Sequence, residues 1–474
     1  MKSRWFRVRR PGRPGRAGPA ALGGVILALA LGGPLAAQGG GAGAGGGASL
    51  NIPFERYTLA NGLEVILAPD KASAVVTVDV WYHVGSRNER AGRTGFAHLF
   101  EHMMFQGSGN VGKGQHMQLV ERAGGQLNGS TTEDRTNYFE TLPANRVNLG
   151  LWLEADRMRS LAVTQANLDN QREVVKEEKR MRVDNSPYGT AINAARFTAP
   201  YSATCGVYAH TVIGSMEDLN AAKLEDVQDF FATYYAPNNA TMTVAGDFEP
   251  AQVKALVQQY FGSIPSHAAP AGVTCEKPFT ELPRKLEIPD VNAKLPAVVM
   301  TYGAVAAGDA DEPALSLLAT ILGQGESSRL NERLVKQERA ALQAGTLFEA
   351  RRGPGVLWAY AVANQGVDPA KLQGLVEDEV AKLGKEGVTV AELEKAKAQY
   401  RANALDQLQT SMGKAEALNR AAVFRGDPAL ARTELARYAA VTQADIQRVA
   451  SKYLVPGNVA VIVAQPQSGK GVTP

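Results

Sequence analysis

The sequence predicts an α+β protein built from two homologous domains. Three observations predict it. First, the run Asp226–Ala245 returns as Asp445–Ala464, with its Asp, Pro, Asn and Val-Ala positions all displaced by one constant offset. Each copy reads as an amphipathic helix, a Pro-Asn turn and an apolar strand. Second, earlier in each half an apolar strand (75–84; 297–305) leads into a helix (95–105; 312–322). Third, 474 residues with 45% hydrophobic and 20% charged side chains are ordinary for globular protein and give room for two domains of about 200 residues each. That composition excludes a disordered or fibrous chain. Two cysteines exclude a disulfide scaffold and a Cys-rich zinc module.

Taken in order, residues 1–37 carry Lys2, Arg4, Arg7, Arg9, Arg10, Arg13 and Arg16 and no acid, followed by a short apolar run and small residues. This pattern reads as a secretory signal peptide, cleaved near Ala37. A Gly/Ala spacer, 38–50, cannot bury apolar area. The first domain is expected over 51–265, a joint over 266–290, the second domain over 291–467 and a tail over 468–474. The formal charge of +3 is a property of the leader. Without its seven basic residues, 43 Lys and Arg face 47 Asp and Glu, a net charge of −4. The mature chain is expected in the periplasm or outside the cell, with no membrane span. No aromatic-basic patch suits nucleic acid.

The chemistry concentrates in Gly95–Phe105, which contains His98, Glu101 and His102. On a helix, residues four apart lie about 40° apart on one face, so His98 and His102 can bind one zinc ion. Glu101 falls on the same side, about 60° away, where a carboxylate can take a proton from a zinc-bound water. Phe96, Leu99, Phe100 and Met103 make the rest of the helix apolar, and a buried Glu between two histidines is costly without a cation. A third ligand is expected from the helical stretch 167–183, which offers Glu173, Glu177 and Glu178. With Val174 and Val175 marking its buried face, Glu178 is the glutamate that points inward. Gln171, two turns back on that face, is expected to hydrogen-bond beside the site.

His-x-x-Glu-His at 98–102, followed downstream by Glu178, resembles the pitrilysin/insulinase family of zinc metallopeptidases, which includes the mitochondrial processing peptidase. The likeness extends to 57–65, 124–131, Pro187-Tyr188-Gly189 and 322–330. It implies two domains, each a mainly antiparallel sheet packed with helices, and a peptide-hydrolysing activity. It also implies Zn2+ held by His98, His102 and Glu178, with Glu101 as general base. Asn128 matches a segment that forms a sheet edge in the family, where a peptide substrate can add as a strand. Family members often have Glu where this chain has Gln171.

Stepping by the repeat offset, the positions that match His98, Glu101 and His102 are Leu317, Thr320 and Ile321, which cannot bind zinc. The second domain is therefore expected to be structural or substrate-shaping. An Arg and Tyr that help hold substrate in single-chain relatives are absent from 334–343. The resemblance thus implies a dimer, either a homodimer or a heterodimer with a related non-catalytic subunit. The competing reading is a non-proteolytic assembly subunit, against which the intact motif argues. Cys205 and Cys275 either pair or stay as buried thiols, and His116 and His210 lack metal spacing.

Overall fold

The computed structural model describes residues 50–201, 203–275 and 285–467. The signal-peptide, spacer and tail readings on 1–49 and 468–474 lie outside the described residues.

The first half runs β1 (Glu55–Thr58), β2 (Glu64–Pro69), β3 (Val75–Tyr82), α1 (Phe96–Met103), α2 (Gln115–Arg122), β4 (Gln126–Thr131), β5 (Thr136–Pro143), α3 (Val147–Ser160), α4 (Gln165–Lys179), α5 (Gly189–Asn193), α6 (Met216–Ala221), α7 (Leu224–Tyr234), β6 (Ala240–Gly246) and α8 (Pro250–Phe261). The second runs β7 (Lys285–Asp290), β8 (Ala297–Gly303), α9 (Glu312–Gly323), β9 (Ala341–Glu349), β10 (Val356–Ala363), α10 (Pro369–Glu386), α11 (Val390–Gln407), α12 (Ser411–Arg425), α13 (Glu434–Ala439), α14 (Gln443–Tyr453) and β11 (Val459–Pro466).

The first sheet has the order β1-β2-β6-β3-β5-β4 and the second β7-β11-β8-β10-β9. Apart from the extra edge strand β1, the two orders match strand for strand. In each sheet one pair is parallel (β2 with β6, β7 with β11) and the rest are antiparallel. The fold class expected from the sequence, α+β with two homologous, mainly antiparallel sheets packed with helices, is the one observed. The repeat is exact in α7 and α14, whose two ends are related by the same offset that carries Asp226 onto Asp445. The expected joint, 266–290, ends differently. Its last six residues are β7, an edge strand of the second sheet whose alternating exposure hid its strand character among prolines.

Strand β3 shows how the sheets are covered. Val76, Val78, Val80 and Tyr82 face a core built with α1, α3 and α7. Thr77, Asp79 and Trp81 face the other way and are buried too. What covers them is α12, from the second half. Ser411 Oγ lies 2.7 Å from Thr77 Oγ1, and Asn419 donates to Asp79 Oδ2 at 2.9 Å. Trp81 and Asn137 also donate to the Asp79 carboxyl, so a buried acid that burial pushes up to about 8 has its oxygens satisfied. Leu418 and Ala422 of α12 pack on Ile66 and Ala245.

The reverse exchange also occurs. Ala191, Ala195, Ala199 and Tyr201 of the first half pack on Val299, Trp358 and Ile462 of the second sheet. The repeat offset carries 189–208 onto 408–427, the neighbourhood of α12. The equivalent segment of each half therefore covers the other half's sheet, and the domains read as 51–265 and 291–467 trade one segment each. Helical period in the sequence says that a face is apolar but not which sheet it meets. Cys205, within the exchanged segment, is disulfide-bonded to Cys275. No helix among the described residues is long and apolar enough to cross a membrane.

Candidate metal centre

Helix α1 sits beside β4, the open edge of the first sheet. Its first turn is anchored from outside. The Glu89 carboxylate accepts the backbone N–H groups of Gly95 and Ala97, each at 2.8 Å, and Asp218 accepts that of Thr94 at 2.9 Å. Acids at the first turn of a helix satisfy its unpaired donors and its dipole. Gly95 adopts φ 90°, which favours glycine, and an added Cβ would lie 2.6 Å from the Ile213 carbonyl oxygen. Phe96, Ala97, Leu99, Phe100 and Met103 are buried. This leaves His98, Glu101 and His102 on the remaining face.

The imidazole rings of His98 and His102 stand 4.8 Å apart, centre to centre. The Nε2 atoms lie 3.6 Å and 3.2 Å from Glu178 Oε2, near the end of α4. Ligand atoms of all three residues fall within 4.8 Å of one another. Burial, and next the neighbouring His102, pushes His98 down to about 4, so it is the neutral imidazole that binds metals. Burial alone would raise Glu178, but His102, His98 and Arg182 together hold it below its ordinary value. Two imidazoles and one carboxylate, converging from two helices, suit zinc. His98 Nδ1 is buried and makes no hydrogen bond among the described residues.

Glu101 is separate from this triangle. Its Oε2 accepts the Thr131 hydroxyl of β4 at 2.7 Å. Burial raises its pKa, with Thr131 and His102 opposing. Alternation along β4 puts Leu127, Gly129 and Thr131 on the α1 side and Asn128 on the other. A Cβ on Gly129 would lie 3.3 Å from Glu101 Cγ. Asn128 is exposed on the sheet edge and accepts the Gly129 N–H through Oδ1 at 2.9 Å. The structure thus brings together His98, His102, Glu178 and Glu101, and sets Asn128 on the adjacent edge.

Two expectations need adjustment. Val174 is 43% exposed, so Val175 alone marks the buried side of α4. Gln171 is buried, but its amide donates to neighbouring Asn170 at 2.8 Å and not to a residue of the metal triangle. Glu173 and Glu177 are exposed and pair with Lys176 and Arg180. Thr131 and Glu89 were not read as site residues, because only tertiary contact reveals what they hold. His116 is a core residue, 2.8 Å from Glu140 through Nε2. Glu140 and Glu154 beside it are already taken by the Arg157 guanidinium, which disfavours a cation there. His210 lies 3.5 Å from Glu89.

Two family models match the chain, one described as insulinase (peptidase family M16) over residues 64–203 and one as peptidase M16 inactive domain over 221–400. Zinc protease PqqE of Helicobacter pylori is 34% identical over 75% of this chain and 80% of its own length. A probable mitochondrial-processing peptidase subunit beta of Arabidopsis thaliana is 24% identical over 88% of this chain and 79% of its own. Among solved structures, a protease from Helicobacter pylori superposes with a TM-score of 0.80 at 31% identity, covering 88% of this chain and all 100% of that one. A peptidase M16 inactive domain from Pseudomonas fluorescens shares the fold at 17% identity, with a TM-score of 0.78 over 89% of this chain and 99% of its own. The chain belongs to the insulinase family of peptidases, family M16, several of whose curated members carry the name zinc protease.

Proposed function

We propose that this protein is a zinc-dependent metalloendopeptidase that hydrolyses short or unfolded polypeptides. The observation that carries this reading is the convergence of His98, His102 and Glu178 next to Glu101, at the end of an open sheet edge. His98 and His102 through Nε2, and Glu178 through a carboxylate oxygen, would hold the ion. Zinc, when bound, polarises a carbonyl and lowers the pKa of a water.

The rest is done by the chain. Strand β4 offers unpaired backbone groups to a peptide laid along it, which gives main-chain recognition with little demand on sequence. Asn128 on that edge would meet the substrate. Glu101, with its pKa raised by burial and its position fixed by Thr131, takes the proton of the attacking water and passes it to the leaving amine. Glu89 and Asp218 keep α1 from shifting as charge develops.

The Cys205–Cys275 disulfide supports a periplasmic or extracellular location, since such bonds persist in oxidising compartments. A partner, whether a second copy or a related non-catalytic subunit, would supply the substrate-holding groups that this chain lacks.

Replacing Glu101 with Gln tests the reading. The variant should keep one zinc per chain and lose about 10²–10⁴-fold in peptide cleavage. Undiminished cleavage by that variant would overturn the assignment.

A further inference from the structure

A cavity of about 500 Å3 lies away from the metal triangle, at the end of the central strands of the first sheet. His83 enters it just after β3, and Asn238 and Asn239 just before β6. Arg87 and Asn88 come from the turn after β3, and Arg352 reaches in from the β9–β10 connection of the second half. One wall is the segment 269–275, whose last residue is tied down by the Cys205–Cys275 disulfide.

Among the described residues, the lining contains two arginines and no aspartate or glutamate. Asp134, beside the cavity, already engages residues of the lining through its carboxylate. It accepts the Tyr208 hydroxyl at 2.6 Å and the Arg352 backbone N–H at 2.8 Å, and it meets Arg87 Nε at 3.1 Å. Arg87 is 8% exposed, so its charge is buried beside the cavity with only that one carboxylate contact among the described residues. Among the described residues no carboxylate pairs with the Arg352 guanidinium. Both cations act on the same space. Burial, then Arg352, then Arg87 push the His83 imidazole down to about 4. Arg87 likewise lowers Arg352, after burial, with Asp134 and Tyr208 opposing. Two guanidinium groups sharing a partly enclosed cavity repel unless an anion sits between them.

We propose that this cavity is a binding site for an oxyanion, a free carboxylate or a phosphate group, held between the guanidinium groups of Arg87 and Arg352. Planar guanidinium forks match both groups in geometry. Asn88 and His83 line the same space and add neutral polar groups. The volume falls in the range that takes a small molecule rather than a bare ion, so the anion is expected at one end of a larger ligand. This site is independent of the peptidase reading, because none of its residues belongs to the metal triangle.

The test is calorimetric titration of the zinc-loaded protein at fixed ionic strength, with inorganic phosphate in one arm and a tripeptide, free or amidated at its C-terminus, in the other. Saturable binding is expected in at least one arm. Loss of tripeptide binding on amidation identifies a carboxylate ligand, and binding of phosphate alone identifies a phosphate ligand. Arg352→Gln should weaken binding by about tenfold or more. Gly272→Asp is a second variant. Gly272 lines the cavity and a Cβ there meets no heavy atom within 4 Å, so a carboxylate can be added in the same wall to compete for the arginines. It should abolish binding. Absence of saturable binding in both arms, or unchanged binding in both variants, overturns the proposal. The metal site is intact in both variants, so anion binding to zinc would persist in them and be recognised.

Discussion

Helices α1 and α9 occupy the same place in two copies of one fold, yet one carries a metal triangle and the other is packing. In α9, Leu317 and Ile321 stand where α1 has His98 and His102, and both are buried. The second helix also lies tighter against its sheet. A Cβ on Gly323 would come within 2.5 Å of the Thr346 backbone nitrogen, and α9 packs more extensively on β9 than α1 does on β4. Among the described residues, every cluster of three metal-capable side chains lies in the first half. The site is made by withholding apolar contact. Where the helix packs less closely on the edge strand, polar groups find room. Where it closes down, the same architecture becomes scaffold.

The largest effect should come from making α1 like α9. The triple replacement His98→Leu, Glu101→Thr and His102→Ile is expected to remove bound zinc and all peptide cleavage while leaving the fold intact. Exchanging buried polar groups for apolar ones is often neutral or stabilising, so the thermal midpoint should not fall below that of the zinc-free wild type. Zinc analysis, a peptide digest and a circular-dichroism melt read the three outcomes. An unfolded product would break the comparison, by showing that the metal holds the first half together.

The segment exchange sharpens the comparison in another way. Leu418 of α12 is fully buried on the first sheet although it belongs to the second half. Leu418→Ala should cost about 2–5 kcal/mol. Because each half covers the other, urea unfolding should stay a single transition, monitored by tryptophans of both halves. Two separated transitions would mean that the halves are independent after all. A smaller contrast is expected between two glycines. Gly323→Ala meets backbone and should cost about 1–3 kcal/mol without touching the metal site. Gly129→Ala should disturb cleavage as well as stability, since a Cβ there meets Tyr138, Asn137 and Glu101.

Much of this was legible in the sequence. The constant offset between Asp226–Ala245 and Asp445–Ala464 located both copies, and helical spacing with a buried-face argument pointed to His98, His102 and Glu178 as one cluster with Glu101 beside it. What was not legible is what depends on contact between distant segments. Thr131 fixes Glu101, Glu89 caps α1, and Asn419 satisfies Asp79 from the far half of the chain. No local period encodes such pairings. Gln171 shows the opposite failure. Its position on the correct face of α4 suggested a supporting contact, but a long, flexible side chain can turn to its neighbour instead. The joint was misjudged at β7 for a related reason. An edge strand with one wet face, next to prolines, looks like a linker until its partner β11 is in view.

The smallest predicted effect compares two glutamates that the repeat makes equivalent, Glu173 on α4 and Glu392 on α11. Glu173 is exposed and, among the described residues, paired only with Lys176 of its own helix. Glu392 accepts Arg329 through both oxygens, at 2.7 Å and 2.9 Å, and closes a capping box with Thr389. The hydrogen bond from Arg329, the strongest influence on it, together with Thr389, holds Glu392 down to about 2, against an ordinary 4.5. A carboxylate whose pKa is lowered on folding contributes stability that is complete above its unfolded pKa. That contribution is lost as pH falls through the folded value. Glu392→Gln should therefore lower the urea midpoint at pH 7, and its deficit against the wild type should shrink between about pH 4.5 and pH 2. Glu173→Gln should change the midpoint little at either pH. A deficit for Glu392→Gln that does not shrink in acid would mean that the capping geometry, and not the charge, is what distinguishes the second-half helix from the first.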